Sequence, residues 1–261
     1  MDTVLLAYIV SAVLLAVHAY VTVWFVVSLI TRRNDVADIA WGLGISLVAM
    51  TALVLADEPS FRLNLMAALM FFWGTRLSTH IYKRFSKHPL EDYRYATWRK
   101  NWRLFMPRSY AQVFLLQGLL MVIVGYSAIH VAASPASTVG LLDVVAVLVW
   151  IMGYLIEGKA DRQLRAFVAD PTNHGKVLDT GLWRYSRHPN YFGEVMQWWG
   201  IWFFALATPY GWVAIVSPLM ITILILKVSG VPLLERSLER NVAYREYQKR
   251  TSVLIPLPPK K

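Results

Sequence analysis

The chain has 261 residues, of which 57% are hydrophobic and only 16% are charged, and its mean hydropathy is +0.45. Composition therefore excludes an ordinary water-soluble domain, and a lipid bilayer is the expected solvent. The chain contains no cysteine, which excludes disulfides, thiolate nucleophiles and cysteine-ligated metal sites. Its net charge of +10 accompanies no nucleic-acid-binding motif, so we predict no nucleic-acid partner.

Seven apolar runs are long enough, or nearly so, to cross about 30 Å of hydrocarbon as helices. They lie at about residues 4–30, 37–56, 63–82, 110–132, 139–157, 191–207 and 211–230. The runs predict an all-α, polytopic membrane protein with seven transmembrane helices. Because no repeat, linker or low-complexity segment interrupts the chain, residues 1–261 are predicted to form a single integral membrane domain.

The basic residues are distributed unevenly between the two sets of loops. Most of the 26 Lys and Arg residues lie in the loops 83–109 and 158–189 and in the tail after residue 230. The opposite loops, 57–62, 133–138 and 208–210, contain one Lys or Arg residue in total, Arg62. The positive-inside rule then predicts an N-terminus outside and a C-terminus in the cytoplasm, which agrees with an odd number of helices.

The segment immediately before the sixth run concentrates polar side chains at the membrane boundary. It reads Arg184-Tyr185-Ser186-Arg187-His188-Pro189-Asn190-Tyr191-Phe192-Gly193-Glu194. Pro189 suits the first turn of a helix, and Asn190, Glu194 and Gln197 follow on one helical face. One interpretation is interfacial anchoring of a helix end. The other is a functional site, because a carboxylate inside an apolar run costs about 2.5–3.5 kcal/mol and Glu194 then needs a polar cavity or a donor.

A second polar face leaves the membrane at the end of the fifth run. Glu157, Asp161 and Arg165 are spaced four residues apart, which places them on one side of a helix. They lead into a turn-rich loop, residues 170–176, whose exposed amides and Lys176 favour an anion, although it lacks a Rossmann or P-loop glycine pattern. The alternative is a solvated salt-bridge ladder, which is worth under about 1 kcal/mol.

The C-terminal stretch is predicted to be a charged helix that ends in a basic, hydroxyl-rich turn. It contains Arg240, Tyr244, Tyr247, Arg250 and Ser252. Guanidinium groups beside hydroxyl donors suit a phosphate. A basic tail held by anionic lipid, at about 1 kcal/mol per charge, is the equal alternative.

The N-terminal half contains a charged pair and an acidic loop. Arg76 lies inside the third run and needs a partner there. We predict that this partner is Asp38, at the start of the second run. The alternative to a functional role is that the ion pair is purely structural. The sequence Glu91-Asp92-Tyr93-Arg94-Tyr95 predicts a hydrogen-bonded loop. Without clustered His or further carboxylates, no metal site is predicted.

Several of these motifs together carry a family resemblance. They are Arg187-His188-Pro189-Asn190-Tyr191-x-Gly193-Glu194 with a preceding Gly181-Leu182-Trp183 and an upstream Asp161, then Asp38-x-x-Trp41-Gly42, Glu91-Asp92-x-Arg94-Tyr95, and Tyr244-x-x-Tyr247-x-x-Arg250-Thr251-Ser252 followed by Ile255-Pro256. Over its whole length the chain resembles the membrane steroid 5α-reductase superfamily, and within it a bacterial branch that carries an uncharacterised-domain label. The resemblance is strongest over residues 157–256.

The resemblance implies NADPH-dependent reduction of the carbon–carbon double bond of an enone, typically a 3-oxo-Δ4 steroid. It further implies a bacterial inner-membrane protein in which residues 1–109 serve the lipophilic substrate and the acid, and residues 110–261 hold NADPH from the cytoplasm. The residues expected around the cofactor are Asp161, Arg165, Lys176, Tyr185, Arg187, His188, Asn190, Tyr191, Glu194, Arg240, Tyr244, Tyr247, Arg250 and Ser252. Among them Lys176, Arg240 and Arg250 are physical candidates for the phosphates.

Hydride addition to the β-carbon of an enone builds negative charge on the carbonyl oxygen, which needs a preorganised donor or acid. The steroid reductases use a Glu–Tyr pair. In this chain the resemblance implies Asp38 or Asp35 with Tyr95, and Tyr82 and Tyr93 are alternative donors, while Trp73 falls near the expected Tyr position. The candidate substrate contacts are Trp41, Trp73, Arg76 and His80.

Two rival functions fit the same residues. The isoprenylcysteine and phospholipid methyltransferases also carry an Arg-His-Pro-x-Tyr-x-Gly pattern but bind S-adenosylmethionine, which has no phosphate for the basic tail to hold. The other rival is a non-enzymatic sterol- or lipid-binding protein, whose basic face only docks anionic headgroups of membrane lipids.

Overall fold

A computed structural model describes residues 2–260, apart from the side chain of Ser237. Every regular element in this part of the chain is helical, and an isolated parallel bridge joins Ser186 to Ser252. The α-helices are α1 (Thr3–Thr31), α2 (Val36–Leu55), α3 (Phe61–Lys87), α4 (Tyr93–Asn101), α5 (Phe105–Ser109), α6 (Leu116–Ala132), α7 (Leu141–Ala169), α8 (Pro189–Leu206), α9 (Val216–Ile223), α10 (Val231–Leu238) and α11 (Val242–Arg250). A π-helical turn, Tyr110–Leu115, joins α5 to α6, and a second, Leu224–Val228, follows α9. The predicted all-α class is confirmed for the described residues.

Five continuous helical stretches within the described residues are long and apolar enough to cross a membrane. They are Thr3–Thr31, Val36–Leu55, Phe105–Ala132, Leu141–Ala169 and Gly211–Arg236. The other two predicted runs also form helices, α3 and α8, but α3 carries charged residues along its length and the first half of α8 contains the polar residues Asn190, Glu194 and Gln197. The chain is thus a helical membrane protein with several apolar helices, while the count of seven spans and the orientation of the termini stay predictions.

Side-chain caps place the starts of several helices. The carboxylate of Asp2 accepts hydrogen bonds from the amides of Val4 and Leu5 at 2.8 and 3.1 Å, and Ser60 accepts from Leu63 at 3.2 Å. Asp92 caps α4 and Asn241 caps α11 in the same way. Each cap satisfies amides that have no partner inside the helix, so short polar residues between apolar runs mark the boundaries.

The chain divides into two compact units, and each is described by itself. The first unit comprises Met1–Gly140 and Phe204–Ser217. Within it α2 packs against α1, α3 and α6. The approach of α2 to α3 is close, because a Cβ atom on Gly74 would lie 2.3 Å from the carbonyl oxygen of Gly42. The Ser78 hydroxyl donates to the Ile39 carbonyl at 2.7 Å across the same contact. Small residues therefore bring the first half of α2 against the middle of α3, and the candidate acid lies nearby on α2.

The second unit comprises Leu141–Phe203 and Pro218–Lys261. Within it α7 and α8 also cross through glycines, since a Cβ on Gly193 would lie 2.5 Å from the Gly153 carbonyl oxygen and 2.6 Å from the Glu157 amide nitrogen. A Cβ on Gly200 would similarly lie 2.9 Å from the backbone of Ala146 and of Trp150. The polar faces of α7 and α8 predicted from helical spacing therefore meet along one seam.

Candidate functional site

The first unit contains a cavity of about 330 Å³ beside the start of α2. One face of α3 forms a wall of the cavity, because residues 81, 84, 85 and 88 follow the i, i+3, i+4, i+7 spacing of a helix. The lining residues are Arg33, Asp35, Asp38, Ile81, Arg84, Phe85, His88, Leu90 and Asp92. The cavity thus combines three apolar side chains, Ile81, Phe85 and Leu90, with three carboxyl groups, two arginines and a histidine, and it has a size at the lower end of ligand pockets.

Asp38 accepts one short hydrogen bond on each of its two carboxyl oxygens. Its Oδ1 accepts a hydrogen bond from the Tyr95 hydroxyl at 2.7 Å, and its Oδ2 accepts one from Nη2 of Arg94 at 2.7 Å. Arg94 is fixed in turn by Asp92, whose Oδ1 accepts from Nε at 2.9 Å and from the Arg94 amide at 3.0 Å. The four side chains form a continuous chain, Asp92–Arg94–Asp38–Tyr95, and Asp38 is the member that combines cavity access with two strong donors.

The structure gives Asp38 a cationic partner that was not predicted. The prediction named Arg76, because it lies in an apolar run on a neighbouring helix, and the structure adds Arg94, which forms an ion pair with Asp38 at 2.7 Å. The reason is the path of the loop between α3 and α4, which returns to the start of α2 and lays the first turn of α4 against it. Sequence spacing within helices carries no information about that return.

Asp35 has a different role from Asp38, although both line the cavity. Arg33 donates to its two oxygens at 3.0 and 2.7 Å, and the Asp92 amide donates to its Oδ2 at 3.1 Å. Alongside, Glu91 accepts from the Asn34 amide at 2.7 Å and forms an ion pair with Arg99 at 2.9 Å. These bonds attach residues 88–92 to the α1–α2 connection, so Asp35 acts as a clamp and Asp38 remains the candidate acid.

The pKa values of Tyr95 and Asp92, the two neighbours of Asp38 at the start of α4, are shifted in opposite directions. Burial raises the pKa of Tyr95 well above its ordinary value, and the charge of Asp38 raises it further. Burial also raises the pKa of Asp92, but hydrogen bonds from the side chain and backbone of Arg94, together with its charge, outweigh that effect and hold this pKa below the ordinary value. At neutral pH Tyr95 is therefore a hydroxyl donor and Asp92 an anion.

The predicted substrate contacts lie elsewhere in the first unit. Trp73 is buried, His80 is exposed, and Trp41 and Arg76 are intermediate. Among the described residues, the cavity lining contains none of these four. Of the alternative donors, Tyr82 and Tyr93 are exposed, whereas Tyr95 is buried against Asp38. The structure thus selects Tyr95 from the three tyrosines as the partner of the carboxyl group.

In the second unit a polar seam runs between α7 and α8. The Gln197 amide donates to the buried carboxylate of Glu157 at 2.6 Å. Asp161 lies one turn beyond Glu157 on α7, and Asn190 and Glu194 lie on the facing stripe of α8. The Oδ1 atom of Asn190 is buried and has no hydrogen-bond partner within residues 2–260. A buried amide oxygen without a donor is costly, so the seam presents an acceptor that suits an external N–H group.

Five of the predicted cofactor residues form a C-terminal clasp, which we define as Arg187, His188, Tyr244, Tyr247 and Ser252 together with Glu235. Arg187 Nε and His188 Nε2 lie 2.8 and 3.0 Å from Glu235 Oε1. The Arg187 amide donates to the Ser252 carbonyl at 2.8 Å. Tyr247 donates to the carbonyls of Trp183 and Ser186. These bonds fasten the tail to the segment that precedes α8.

The remaining predicted cofactor residues lie at the surface or on the seam. Arg165, Lys176, Tyr185 and Arg240 are exposed, and Arg250 forms an ion pair with Asp179. Tyr191 stacks on His188, with ring centroids 5.5 Å apart. Lys176 and Arg240, which were predicted to bind phosphate, are therefore accessible, whereas the Arg187 side chain is buried.

Comparison with known proteins identifies a family. A family model described as "Protein of unknown function (DUF1295)" matches residues 24–251. The chain belongs to this family. A curated relative of the DUF1295 chain, the uncharacterized protein C594.04c of Schizosaccharomyces pombe, is 25% identical over 233 residues, which is 76% of the chain and 64% of the relative. The chain thus spans less than two thirds of that relative's length, and no solved structure matches it.

Two charged partners in the DUF1295 chain were not assigned from sequence, Arg94 for Asp38 and Glu235 for the clasp. Glu235 lies within the apolar stretch Gly211–Arg236, where an unpaired charge is costly, so that cost was a usable signal for it. Arg94 lies on the polar helix α4 and carried no such signal. Neither pairing could be identified from sequence, because the bonds from Arg94 to Asp38 and from Arg187 to Glu235 join residues separated by 56 and 48 positions.

Proposed function

We propose that this DUF1295 protein is an NADPH-dependent oxidoreductase that reduces the carbon–carbon double bond of a lipophilic enone, such as a 3-oxo-Δ4 steroid. The observation that carries the proposal is the Asp38–Tyr95 pair, 2.7 Å apart, beside a cavity whose lining includes the apolar side chains of Ile81, Phe85 and Leu90. We further propose seven spans, an N-terminus outside, and a cofactor site on the cytoplasmic side of a bacterial inner membrane, because the basic loops lie on that side.

The acid pair supplies what the reaction needs at the carbonyl oxygen. Asp38 lines the cavity and Tyr95 does not appear among its lining residues, so the proton leaves from the carboxyl group of Asp38. The carboxylate that remains keeps the hydroxyl of Tyr95 and the guanidinium of Arg94 as donors. In a site partly shielded from solvent, these two donors stabilise the negative charge that proton transfer leaves on Asp38. That stabilisation accelerates the proton-transfer step.

The α7–α8 seam fits the carboxamide end of a nicotinamide. The buried Oδ1 of Asn190 accepts no hydrogen bond within residues 2–260. The N–H of the nicotinamide carboxamide can donate one to it. Arg165, Lys176 and Arg240 are exposed, which suits the 2′-phosphate and the pyrophosphate. NADPH supplies the hydride when bound, whereas the clasp holds the segment before α8 in place for Asn190.

A binding experiment tests the cofactor. Tritiated NADPH and S-adenosylmethionine are each titrated against detergent-purified protein, with Asn190→Ala compared with Asn64→Ala, an exposed amide that bonds only backbone carbonyls at 2.9 and 3.4 Å. We expect saturable NADPH binding that Asn190→Ala weakens about tenfold, the value of one lost hydrogen bond in a buried site, while Asn64→Ala has no effect. Saturable binding of S-adenosylmethionine alone overturns the proposal in favour of the methyltransferase.

A turnover experiment tests the reaction. Purified protein is given NADPH with testosterone or progesterone, and the steroid is analysed by mass spectrometry for a gain of two hydrogens. Asp38→Asn should abolish the product while leaving NADPH binding intact. Lipid binding without any NADPH oxidation, for these steroids and for simpler enones, would support the non-enzymatic rival instead.

A further inference from the structure

Arg94 lies against the proposed acid in an orientation that other side chains impose. Its Nη2 donates to Asp38 Oδ2 at 2.7 Å, while its Nε and backbone amide both donate to Asp92 Oδ1, at 2.9 and 3.0 Å. The amide of Asp92 is itself bonded to Asp35 at 3.1 Å. A guanidinium fixed from both sides keeps its direction toward Asp38, and its donors are planar and permanently charged.

The interaction between Arg94 and Asp38 changes strength during the proposed reaction. In the protonated form of Asp38 that donates the proton, Arg94 faces a neutral carboxyl group, and after the transfer it faces a full negative charge at the same distance. An interaction that grows along the reaction coordinate lowers the barrier, whereas one that is constant changes only binding. The side chains of Arg94 and Asp38 are 22% and 18% exposed, so solvent screens their attraction only in part.

We propose that Arg94 is a positioning residue for Asp38, an assignment that rests on the proposed function. It orients the carboxyl group toward the cavity and stabilises the carboxylate that proton transfer creates. In that step the O–H bond of the Asp38 carboxyl breaks, its electron pair stays on the carboxylate, and a new O–H bond forms on the enolate oxygen. The resulting enol becomes the saturated ketone by tautomerisation. Asp92 acts indirectly, because its carboxylate accepts hydrogen bonds from Arg94 and keeps the guanidinium in this orientation.

Steady-state kinetics of Arg94→Gln, Arg94→Lys and Arg99→Gln test the proposal. Arg99 is a matched control, because it lies on the same helix and pairs with Glu91 at 2.9 Å without touching Asp38. For Arg94→Gln we expect kcat to fall about 100-fold, as for removal of one preorganised donor, with KM changed less than about twofold. Arg94→Lys should recover part of kcat, and Arg99→Gln should match the wild type. An equal loss of kcat in Arg94→Gln and Arg99→Gln, or a rise in KM alone, overturns the proposal.

A second measurement is independent of turnover. Dicyclohexylcarbodiimide modifies protonated carboxyl groups in apolar surroundings, and mass spectrometry quantifies the adduct on Asp38. Removing the adjacent positive charge favours the protonated form, so Arg94→Gln should increase labelling about tenfold over the wild type, Arg99→Gln should not, and Asp38→Asn should remove the adduct. Increased labelling without any enone reduction in the wild type would refute the proposed reaction but retain the Arg94–Asp38 coupling. Reduction in the wild type with labelling and kcat unchanged in Arg94→Gln would refute this inference alone.

Discussion

The hydroxyl of Tyr95 lies 2.7 Å from Oδ1 of Asp38, although 57 positions separate the two residues in the chain. Tyr95 is buried on α4, and Asp38 lies in the first turn of α2. Burial and the neighbouring carboxyl group raise the pKa of Tyr95, so its proton is retained through neutral pH. The Tyr95 hydroxyl is therefore a fixed donor to Asp38, and the contribution of this hydrogen bond to the proposed reaction can be measured by itself.

Replacing Tyr95 by Phe removes this hydrogen bond and leaves the ring in place. We expect kcat for enone reduction to fall about 10- to 100-fold, because the Asp38 carboxylate loses one of its two donors. Tyr93→Phe is the control, since Tyr93 lies on the same helix and is exposed. Rates are measured from NADPH absorbance in detergent. Equal rates for Tyr95→Phe and the wild type would show that the hydroxyl takes no part in the reaction.

Replacing Asp92 by Asn tests the outer end of the same chain of side chains through its pH dependence. The folded pKa of Asp92 is lowered, so its contribution to stability is present above the unfolded pKa of about 4 and is lost as pH falls through the folded value. We expect Asp92→Asn to cost about 1–2 kcal/mol at pH 7, and the difference from the wild type to shrink below about pH 4.

Thermal unfolding in a maltoside detergent between pH 7 and pH 3, followed by tryptophan fluorescence, gives this difference. The exposed Asp57 provides the control, because Asp57→Asn removes a carboxylate from the surface. Its Tm should track that of the wild type at every pH. A constant gap between Asp92→Asn and the wild type down to pH 3 would contradict the assignment of Asp92 as a stabilising anion.

Helical spacing alone predicted much of the second unit. The stripe of Glu157 and Asp161 and the stripe of Asn190 and Gln197 both exist, and the α7–α8 crossing at Gly193 brings them together. Such faces are predictable because residues three and four apart are neighbours on any helix. The start of α8 at Pro189 was predictable for a similarly local reason, the fixed φ angle of proline.

Contacts made by returning loops were not predictable in the same way. The pairing of Asp38 with Arg94 depends on how residues 88–92 turn back, and the pairing of Arg187 with Glu235 depends on where α10 packs. Neither has a periodic signature in the sequence. Sequence motifs therefore located the regions that contain charged residues, whereas the tertiary path of the chain determines which of these residues form pairs.

The clasp makes a prediction about stability. Glu235 accepts from Arg187, His188 and Gln248 at 2.8, 3.0 and 3.1 Å, and the Arg187 side chain is only 9% exposed. Glu235→Gln leaves Arg187 buried with a neutral partner, which should cost about 3 kcal/mol. We expect a lower Tm and faster proteolysis of the C-terminal tail by trypsin. The exposed Glu239 is the control, and Glu239→Gln should change neither quantity; a Glu235→Gln protein as stable as that control would show that the clasp carries no net energy.

The glycine crossing of α7 and α8 makes the sharpest steric prediction. A methyl group on Gly193 would lie 2.5 Å from the Gly153 carbonyl oxygen and 2.6 Å from the Glu157 amide, and both are backbone atoms that cannot move aside without separating the helices. Gly193→Ala should therefore lower the free energy of unfolding by about 1–3 kcal/mol, the usual cost of overpacking. Gly158→Ala is the matched control on α7, where a Cβ would meet only the Arg162 side chain at 3.7 Å and helix propensity favours alanine by about 1 kcal/mol. Thermal unfolding should give opposite signs for the two variants, and because separation of the helices also moves Asn190 relative to α7, NADPH affinity should fall only in Gly193→Ala.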